Sequence, residues 1–417
     1  MKDVLKAALK KVKPAKAEEK KLLSLANAVM KRIKIVKAKP VLGGSAAKGT
    51  WLCGDHDIDV YVKFDALKYG TEDISAILYG ELKKNFSKVD ILHGSRDYFQ
   101  VKQKGYTVEV VPIIGIDDPN IALNITDISP LHVEWVRKHK EKADEIRLVK
   151  AFCKAGKVYG AESYIKGFSG YVLEILTAHY MSFFGFIQNV AKWDPDGKVV
   201  VDTEHHFKGK DIMKELNVAK IYSPLIVIDP VQAERNAAAG VGNEKYRQLV
   251  MLARSFLAKP SLNYFIKTNV ALPQLKKKAG KNILLIIDAE ALKGKKDVVG
   301  AKLLKCFEHI RKHLDLNEFY LIESGWEWNN KALLWFIIKR EKLLPTRKHY
   351  GPPYKNKKAV DSFRKVWEGN GIEIEDGRLY VIVKRKYMGP EGLVRDLLKS
   401  EYVKQRVKRI SLRRLKR

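Results

Sequence analysis

The residues best suited to do chemistry in this chain lie in one stretch, Val41 to Phe64. Asp57 and Asp59 alternate there with Ile58, Val60 and Val62, and the pleat of a β-strand sends side chains two apart to the same face. That face is where two metal ions could sit. Just upstream, Gly43 and Gly44 let the backbone approach a polyanion closely, and Ser45, Lys48 and Thr50 add donors for its phosphate oxygens. The chemistry implied is phosphoryl or nucleotidyl transfer. The plainer alternative is an Asp-X-Asp pair on an exposed strand edge beside an ordinary glycine turn. Against it stands the joint occurrence of the turn, the basic residue and two flanking apolar strands.

A Gly-Ser turn followed, after an intervening segment, by Asp57-Ile58-Asp59 on an apolar strand resembles the signature of the nucleotidyltransferase superfamily that includes polymerase beta. The longer string Gly44-Ser45-Ala46-Ala47-Lys48-Gly49-Thr50-Trp51-Leu52 resembles more narrowly the archaeal, class I CCA-adding enzymes, the tRNA nucleotidyltransferases. The resemblance implies template-independent addition of C, C and A to tRNA 3′ ends from CTP and ATP. Asp57 and Asp59 would hold two Mg²⁺ ions, the 3′-hydroxyl would attack the α-phosphorus in line, and pyrophosphate would leave. Gly44, Ser45 and Lys48 would line the nucleotide site.

The third catalytic carboxylate of that family falls on Glu109, a polar interruption in the apolar run Val108 to Val111. Family members often carry Asp there, so the longer Glu109 leaves two roles open, direct metal ligand or base for the attacking hydroxyl. Pairing with a lysine on a sheet face is the structural alternative. Further on, Ser129-Pro130 is suited to open a helix with Ser129 as N-cap and His132 in the first turn, and a helix N-terminus favours phosphate. In the family, a Ser/Thr-Pro-X-His segment, a lysine of the following helix and a tyrosine just beyond contact the triphosphate, which maps onto Ser129, His132, Lys150 and Tyr159. Taken singly, each of these also fits a surface or core position. Phe168-Ser169-Gly170-Tyr171 resembles the family at the start of its central helix. Asp229-Pro230-Val231-Gln232-Ala233-Glu234-Arg235-Asn236 resembles its Asp-Pro-Val-Asp-X-X-Arg-Asn segment, which makes Arg235 the counterpart of the base- and phosphate-reading arginine.

These residues need elements to position them. Leu22, Ala26, Val29 and Ile33 recur at helical spacing within Glu18 to Ile35, and Ile74, Ile77, Leu78 and Leu82 within Glu72 to Phe86. Strands are predicted at Lys88 to Leu92, Tyr98 to Lys102 and Tyr106 to Ile114, the last two joined by a tight turn at Lys104-Gly105. Helix is predicted from Ser129 to Ala155 with a break, then as one long apolar spine from Phe168 to Ala191, and from Asn243 to Ala258. A strand-like piece, Leu225 to Ile228, precedes the Arg235 segment. Leu272 to Lys281 reads as a linker, followed by strand, helix, strand and strand up to Arg340. Arg347 to Tyr354, with its Gly-Pro-Pro, reads as irregular chain interleaving basic and aromatic side chains, and Tyr402 to Arg417 as a basic tail.

A chain of 417 residues exceeds what one core supports and suggests about three domains. The expected fold class is α+β. It comprises a nucleotidyltransferase palm with a mixed sheet and helices (1–128), a central helical domain for nucleotide and primer (129–270), and a ferredoxin- or RNA-recognition-like region with a basic tail (271–417). With 79 Lys and Arg against 48 Asp and Glu, the net charge of +31 favours a polyanionic partner, and nucleic acid leads. A lysine-rich proteome or a thermophilic host is the other source of such basicity. Cys53, Cys153 and Cys306 form no paired framework and no zinc motif, and no apolar run has the length of a signal peptide core or a membrane span, so a reduced, soluble, cytoplasmic protein is expected. The partners expected are CTP, ATP and the acceptor-stem and T-arm half of tRNA, with no membrane, and a homodimer among the assemblies admitted. Two other functions stay open: a different RNA nucleotidyltransferase, such as a poly(A) polymerase or oligoadenylate synthetase relative, and a non-catalytic RNA-binding protein on a decayed enzyme fold. Acidic residues at all three carboxylate positions argue against the second.

Overall fold

In the computed structural model, which describes residues 1–55, 57–94, 96–268 and 270–414, the chain divides into two units, residues 1–268 and 269–417. The first opens with helices α1 (Lys2–Val12) and α2 (Lys16–Met30), separated at Pro14. Its sheet follows as β1 (Ala38–Leu42), α3 (Gly44–Lys48), β2 (Asp57–Phe64), α4 (Ala66–Tyr69), α5 (Ile74–Asn85), β3 (Val89–Leu92), β4 (Tyr98–Gln103) and β5 (Tyr106–Ile114). The strand order is β1-β2-β5-β4-β3. Among the described strands of this sheet only β2 and β5 pair in parallel, as a crossover through a helix requires.

Every second residue of β2, from Ile58 to Phe64, is fully buried, in one core with Leu22, Leu25 and Val29 of α2 and Leu78 and Leu82 of α5. The alternate residues, Asp57 and Asp59 among them, therefore take the opposite face. The β4–β5 hairpin turns at Lys104 and Gly105, both at positive φ (49° and 85°), the two-residue form whose twist matches the strands. Helix α1 does not join this core: Ala8 is buried among the helices beyond residue 129, although the sequence assigns it to the head.

Ser129 does not cap its helix. A 3₁₀ turn over Ile125–Ile128 runs directly into α6 (Ser129–Lys138), and Asn124 is the capping residue, its side chain accepting from Thr126 N at 3.1 Å. The buried Asp127 carboxylate accepts from the backbone N–H of Asn124 and of Ile114, both at 2.9 Å, and pairs with Arg96, fastening this turn to the end of β5. After α7 (Ala143–Ala155), the expected single spine is two helices, α8 (Gly170–His179) and α9 (Phe183–Lys192). Met181 breaks it at φ 70°, and Ser182 caps the second half by accepting from Gly185 N at 3.0 Å. The unit closes with β6 (Val199–Val201), α10 (Ile212–Glu215), α11 (Val218–Ile221), β7 (Leu225–Val227) and α12 (Asn243–Ala258), β6 and β7 pairing in parallel.

In the second unit, the expected linker is helix α13 (Leu272–Ala279): Pro273 sits in its first turn, and Leu275 is buried with Ile286 and Trp335. Next come β8 (Ile283–Glu290), α14 (Lys296–Leu316), β9 (Leu321–Trp328), β10 (Ala332–Ile338), β11 (Thr346–Pro353), α15 (Lys357–Val366), β12 (Glu373–Glu375), β13 (Arg378–Lys384), α16 (Pro390–Lys399), α17 (Glu401–Lys404) and β14 (Arg409–Leu412). The expected strand-helix-strand-strand order is present, in a sheet ordered β14-β8-β10-β9. Two expectations need correction here. Part of the segment read as a tail is the edge strand β14, in which Ile410 and Leu412 pack on the core, and Arg413 just beyond it pairs with Asp288. The segment read as irregular is β11 of a second sheet, β11-β13-β12, its ladder slipping only where Gly351 and Pro352 interrupt it. Among the described residues no helix is long and apolar enough to cross a membrane.

Candidate active site

The parallel register of β2 and β5 sets Asp59 opposite Glu109 and Asp57 opposite Thr107. From the other side Gln100 of β4 faces Glu109, its Nε2 donating to Glu109 Oε1 at 2.7 Å. Asp57 is exposed, while Asp59 and Glu109 are half-buried. Burial, then repulsion from Glu109 and Asp57, pushes the Asp59 carboxyl up to about 7, with Lys48 pulling the other way. As the side chains stand, no group of three or more His, Cys, Asp and Glu among the described residues is gathered tightly enough to hold an ion. The donor set nevertheless suits a hard divalent cation, being all carboxylate oxygen, and such an ion would relieve the crowding that Asp59 feels.

The glycines before α3 serve this face directly. Gly43 N donates to Asp59 O at 2.8 Å, and a Cβ on Gly43 would come within 2.5 Å of the Tyr61 ring. Gly44 has φ +55°, and its Cβ would lie 1.7 Å from Asp59 Oδ2. Close approach to the strand, as well as to a ligand, thus requires glycine here. Ser45 follows in the first turn of α3, its carbonyl accepting from Thr50 N at 3.0 Å. The Ser129 side chain lies beside the Tyr61 hydroxyl, so the start of α6 faces β2.

Helix α7 presents Arg147, Lys150 and Lys154 along one face, and each grips the loop that follows α3. Arg147 donates to Gly49 O (2.6 Å) and Trp51 O (3.1 Å), Lys150 to Thr50 Oγ1 (2.9 Å) and Thr50 O (3.4 Å), and Lys154 pairs with Asp55 at 2.8 Å. Beneath them lies Glu174 of α8, which sequence reasoning did not single out. Its Oε1 accepts from Lys150 (2.7 Å) and Thr50 Oγ1 (2.6 Å), and its Oε2 from Lys48 (2.8 Å). Burial opposes both charges, lowering Lys150 and working to raise Glu174. The two lysines outweigh it and hold Glu174 at about 2, so the carboxylate is an anion. Tyr159 completes this wall, its hydroxyl against Gly170, where a Cβ would come within 2.9 Å of it, and its ring under Lys154 at 5.0 Å.

A second buried carboxylate, Asp229, organises the remaining residues. It pairs with Arg235, accepts from Tyr171 OH (3.0 Å) and Val231 N (3.0 Å), and lies 3.1 Å from His132 Nε2. That last contact lacks hydrogen-bond geometry, and His132 Nε2 is otherwise unpartnered. Burial lowers the pKa of His132, with Asp229 opposing, so the ion pair of this group is Asp229 with Arg235. Tyr171 joins the two clusters: it stacks on His132 (centroids 4.1 Å, 30°) and lies under Lys48 Nζ at 4.9 Å. Lys48 acts electrostatically on Asp59, and that connects both to the carboxylate face. A tyrosine in Phe-Ser-Gly-Tyr and an aspartate in Asp-Pro-Val were the signals available in the sequence for Tyr171 and Asp229; for Glu174, in an apolar helix, the signal was its own charge.

A mixed five-stranded sheet with three carboxylates on its central strands, flanked by a cluster of phosphate-suited cations, is the head of a nucleotidyltransferase, a class that works with divalent metal ions. Family models match accordingly, the nucleotidyltransferase domain over residues 23–132, the second domain of tRNA nucleotidyltransferase over 144–266, and the C-terminal domain of the CCA-adding enzyme over 272–409. The CCA-adding enzyme of Nanoarchaeum equitans is 37% identical over 351 residues, 83% of this chain and 84% of that one. That of Methanocaldococcus jannaschii is 30% identical over 95% of this chain and 90% of its own. A solved structure of the Cid1 poly(U) polymerase covers 63% of this chain and 98% of its own at a TM-score of 0.51 and 15% identity, a likeness of fold. The chain belongs to the archaeal CCA-adding enzymes.

Proposed function

We propose that this protein adds C, C and A to the 3′ end of tRNA from CTP and ATP without a nucleic-acid template. The observation that carries the reading is the meeting of Asp59 and Glu109 across β2 and β5, within the field of Lys48, in a chain of this family. Asp57 and Asp59, with Glu109 as third ligand or as base, are the residues that would hold Mg²⁺. When bound, the ions supply Lewis acidity to the triphosphate and lower the pKa of the RNA 3′-hydroxyl. The chain's own residues do the rest. Gly44 and Ser45 bring backbone and hydroxyl to the phosphates. Lys48 places positive charge at the triphosphate with the buried Lys150 behind it, and Ser129, His132 and Tyr159 line the nucleotide site. Arg235, held by Asp229, offers a planar fork to the base edge.

In this reading residues 1–128 carry the chemistry, 129–270 bind nucleotide and primer, and 271–417 bind the acceptor-stem and T-arm half of tRNA. The basic residues of β11 and its neighbours, Arg347 and Lys348 among them, suit a phosphate backbone. The enzyme would act in the cytoplasm, where immature tRNA is met. Incubation with tRNA lacking its 3′ end and labelled CTP or ATP tests the whole. Products longer by C, CC and CCA are expected, whereas long homopolymer tails, or no incorporation with Mg²⁺ present, would sink the reading.

A further inference from the structure

The cation cluster contains more order than a phosphate site needs from two lysines alone. Lys150 is almost fully buried, and its ammonium has three acceptors around it: Thr50 Oγ1 at 2.9 Å, Thr50 O at 3.4 Å and Glu174 Oε1 at 2.7 Å. An ammonium has three N–H groups, so Lys150 is engaged by the protein itself in this conformation. Lys48 differs. It gives one N–H to Glu174 Oε2 at 2.8 Å and lies over the Tyr171 ring, with N–H groups left for a ligand. The carboxylate between them has 2% of its side chain exposed. A buried carboxylate that bridges two lysines and a hydroxyl fixes all three in place, because any of them that moved would leave charge unpaired in a dry setting.

We infer that Glu174 is a positioning residue for nucleotide binding: anchored by Lys150 and Thr50, it holds Lys48 at the angle from which that lysine meets the triphosphate. The inference rests on the nucleotidyl-transfer reading above. It deepens that reading by dividing the cluster into an anchor, Lys150, a relay, Glu174, and a delivering cation, Lys48. Thr50 and Lys48 come from the loop and helix between β1 and β2, and Lys150 and Glu174 from α7 and α8. The relay therefore also fixes the loop that carries the phosphate ligands against the helices. Arg147 and Lys154 grip the same loop independently, so loss of the relay leaves the loop docked.

The test is Glu174→Gln in the full-length protein, which keeps the shape and one acceptor oxygen but loses the charge and replaces the other oxygen by an NH2 donor, so the hold on Lys48 is weakened. KM for both CTP and ATP should rise on the order of tenfold, the worth of one charge-assisted hydrogen bond, with kcat within about threefold. The dissociation constant of inorganic pyrophosphate, measured by calorimetry, should rise by the same factor, while tRNA affinity and the preference for CTP and ATP over UTP and GTP stay unchanged. The discriminating arm is the double mutant. In a Lys48→Ala background the further loss from Glu174→Gln should shrink to about twofold, since coupled residues are not additive. A folded Glu174→Gln protein with unchanged KM and pyrophosphate affinity overturns the inference, as does a tightening of either. A full tenfold loss persisting without Lys48 overturns it too, by making the effect structural. Should Glu174→Gln fail to fold, Glu174→Asp, which keeps the charge but shortens the reach, should show the same coupled rise in KM to a smaller degree. If the wild-type protein adds no nucleotide to tRNA, the functional reading fails by itself and the pyrophosphate arm still decides the role of Glu174.

Discussion

At the scale of single residues, the carboxylate face makes the sharpest demands. Asp57→Ala or Asp59→Ala should cut incorporation by at least about a hundredfold, since each removes charge stabilisation made in the transition state. tRNA binding should be nearly intact, and retention of about a tenth of wild-type turnover by either variant would remove the metal assignment. Gly44→Ala tests the close approach. The new methyl would overlap Asp59 Oδ2 at a backbone φ of +55°. Displacing a catalytic group by about 1 Å costs on the order of a hundredfold in rate. Single-turnover rates on primed tRNA measure this, and a fully active Gly44→Ala protein would mean that Asp59 is not held where the chemistry needs it. In the proposed reading Arg235 carries two duties, base recognition and neutralisation of the buried Asp229 beside it. Arg235→Ala should narrow the preference for CTP and ATP over UTP and GTP and also destabilise the fold by roughly 3 kcal/mol or more, through the uncompensated carboxylate. Arg235→Lys keeps charge on Asp229 but not the planar fork, so misincorporation ratios in that variant isolate base reading. Unchanged ratios in both would reduce Arg235 to a structural or phosphate-binding role.

At the scale of elements, the telling feature is how α7 and α8 take hold of the loop after α3. Three basic residues on one face of α7 reach Gly49, Thr50, Trp51 and Asp55 in the loop, and Glu174 of α8 closes the cluster from below. This arrangement has a pH signature. The folded-state pKa of Glu174, about 2, lies below its ordinary 4.5. For a depressed carboxyl the stabilisation is complete above the unfolded value and is lost as pH falls from there toward the folded one. The loss attributable to Glu174 is roughly 3 kcal/mol between pH 4.5 and 2. Asp229, also held at about 2 against its ordinary 3.8, acts in the same direction over a narrower window. Urea midpoints measured from pH 6 downward should fall through this window in the wild type and fall less steeply for Glu174→Gln. Equal slopes would mean that Glu174 is not ionised in the folded protein.

At the scale of the whole molecule, net charge favours a polyanionic partner. With +31 distributed over both units, tRNA binding should weaken with salt along a roughly linear log-log plot, by at least about tenfold between 50 and 200 mM. Removal of residues 269–417, which form a compact unit with their own core, should leave the first unit folded but weaken tRNA affinity strongly. If affinity survived that deletion, or showed no salt dependence, the second unit would not be the RNA-binding body.

Much of this was legible along the chain. Alternation of Asp57 and Asp59 with buried Ile58 and Val60 defined both a strand and its polar face, because side-chain direction in a strand depends only on the parity of position. The Lys104-Gly105 dipeptide between two apolar runs marked the hairpin, and the spacing of Leu78 and Leu82 marked a helix, for the same local reason. What local pattern missed were places where distant contacts override it. The basic segment after Tyr402 becomes a strand because β8 offers it a free edge, and the proline-bearing 346–353 segment because β13 does. The long apolar run after Phe168 breaks at Met181, where capping by Ser182 starts a second helix. The site divides in the same way. The residue types that could bind phosphate and metal were written in the sequence, but their pairing was not: Lys48 meets Glu174 across 126 residues, and Tyr171 meets Asp229 across 58. Which carboxylate neutralises which cation depends on chain crossings that bring them together away from water, and only the tertiary structure decides that.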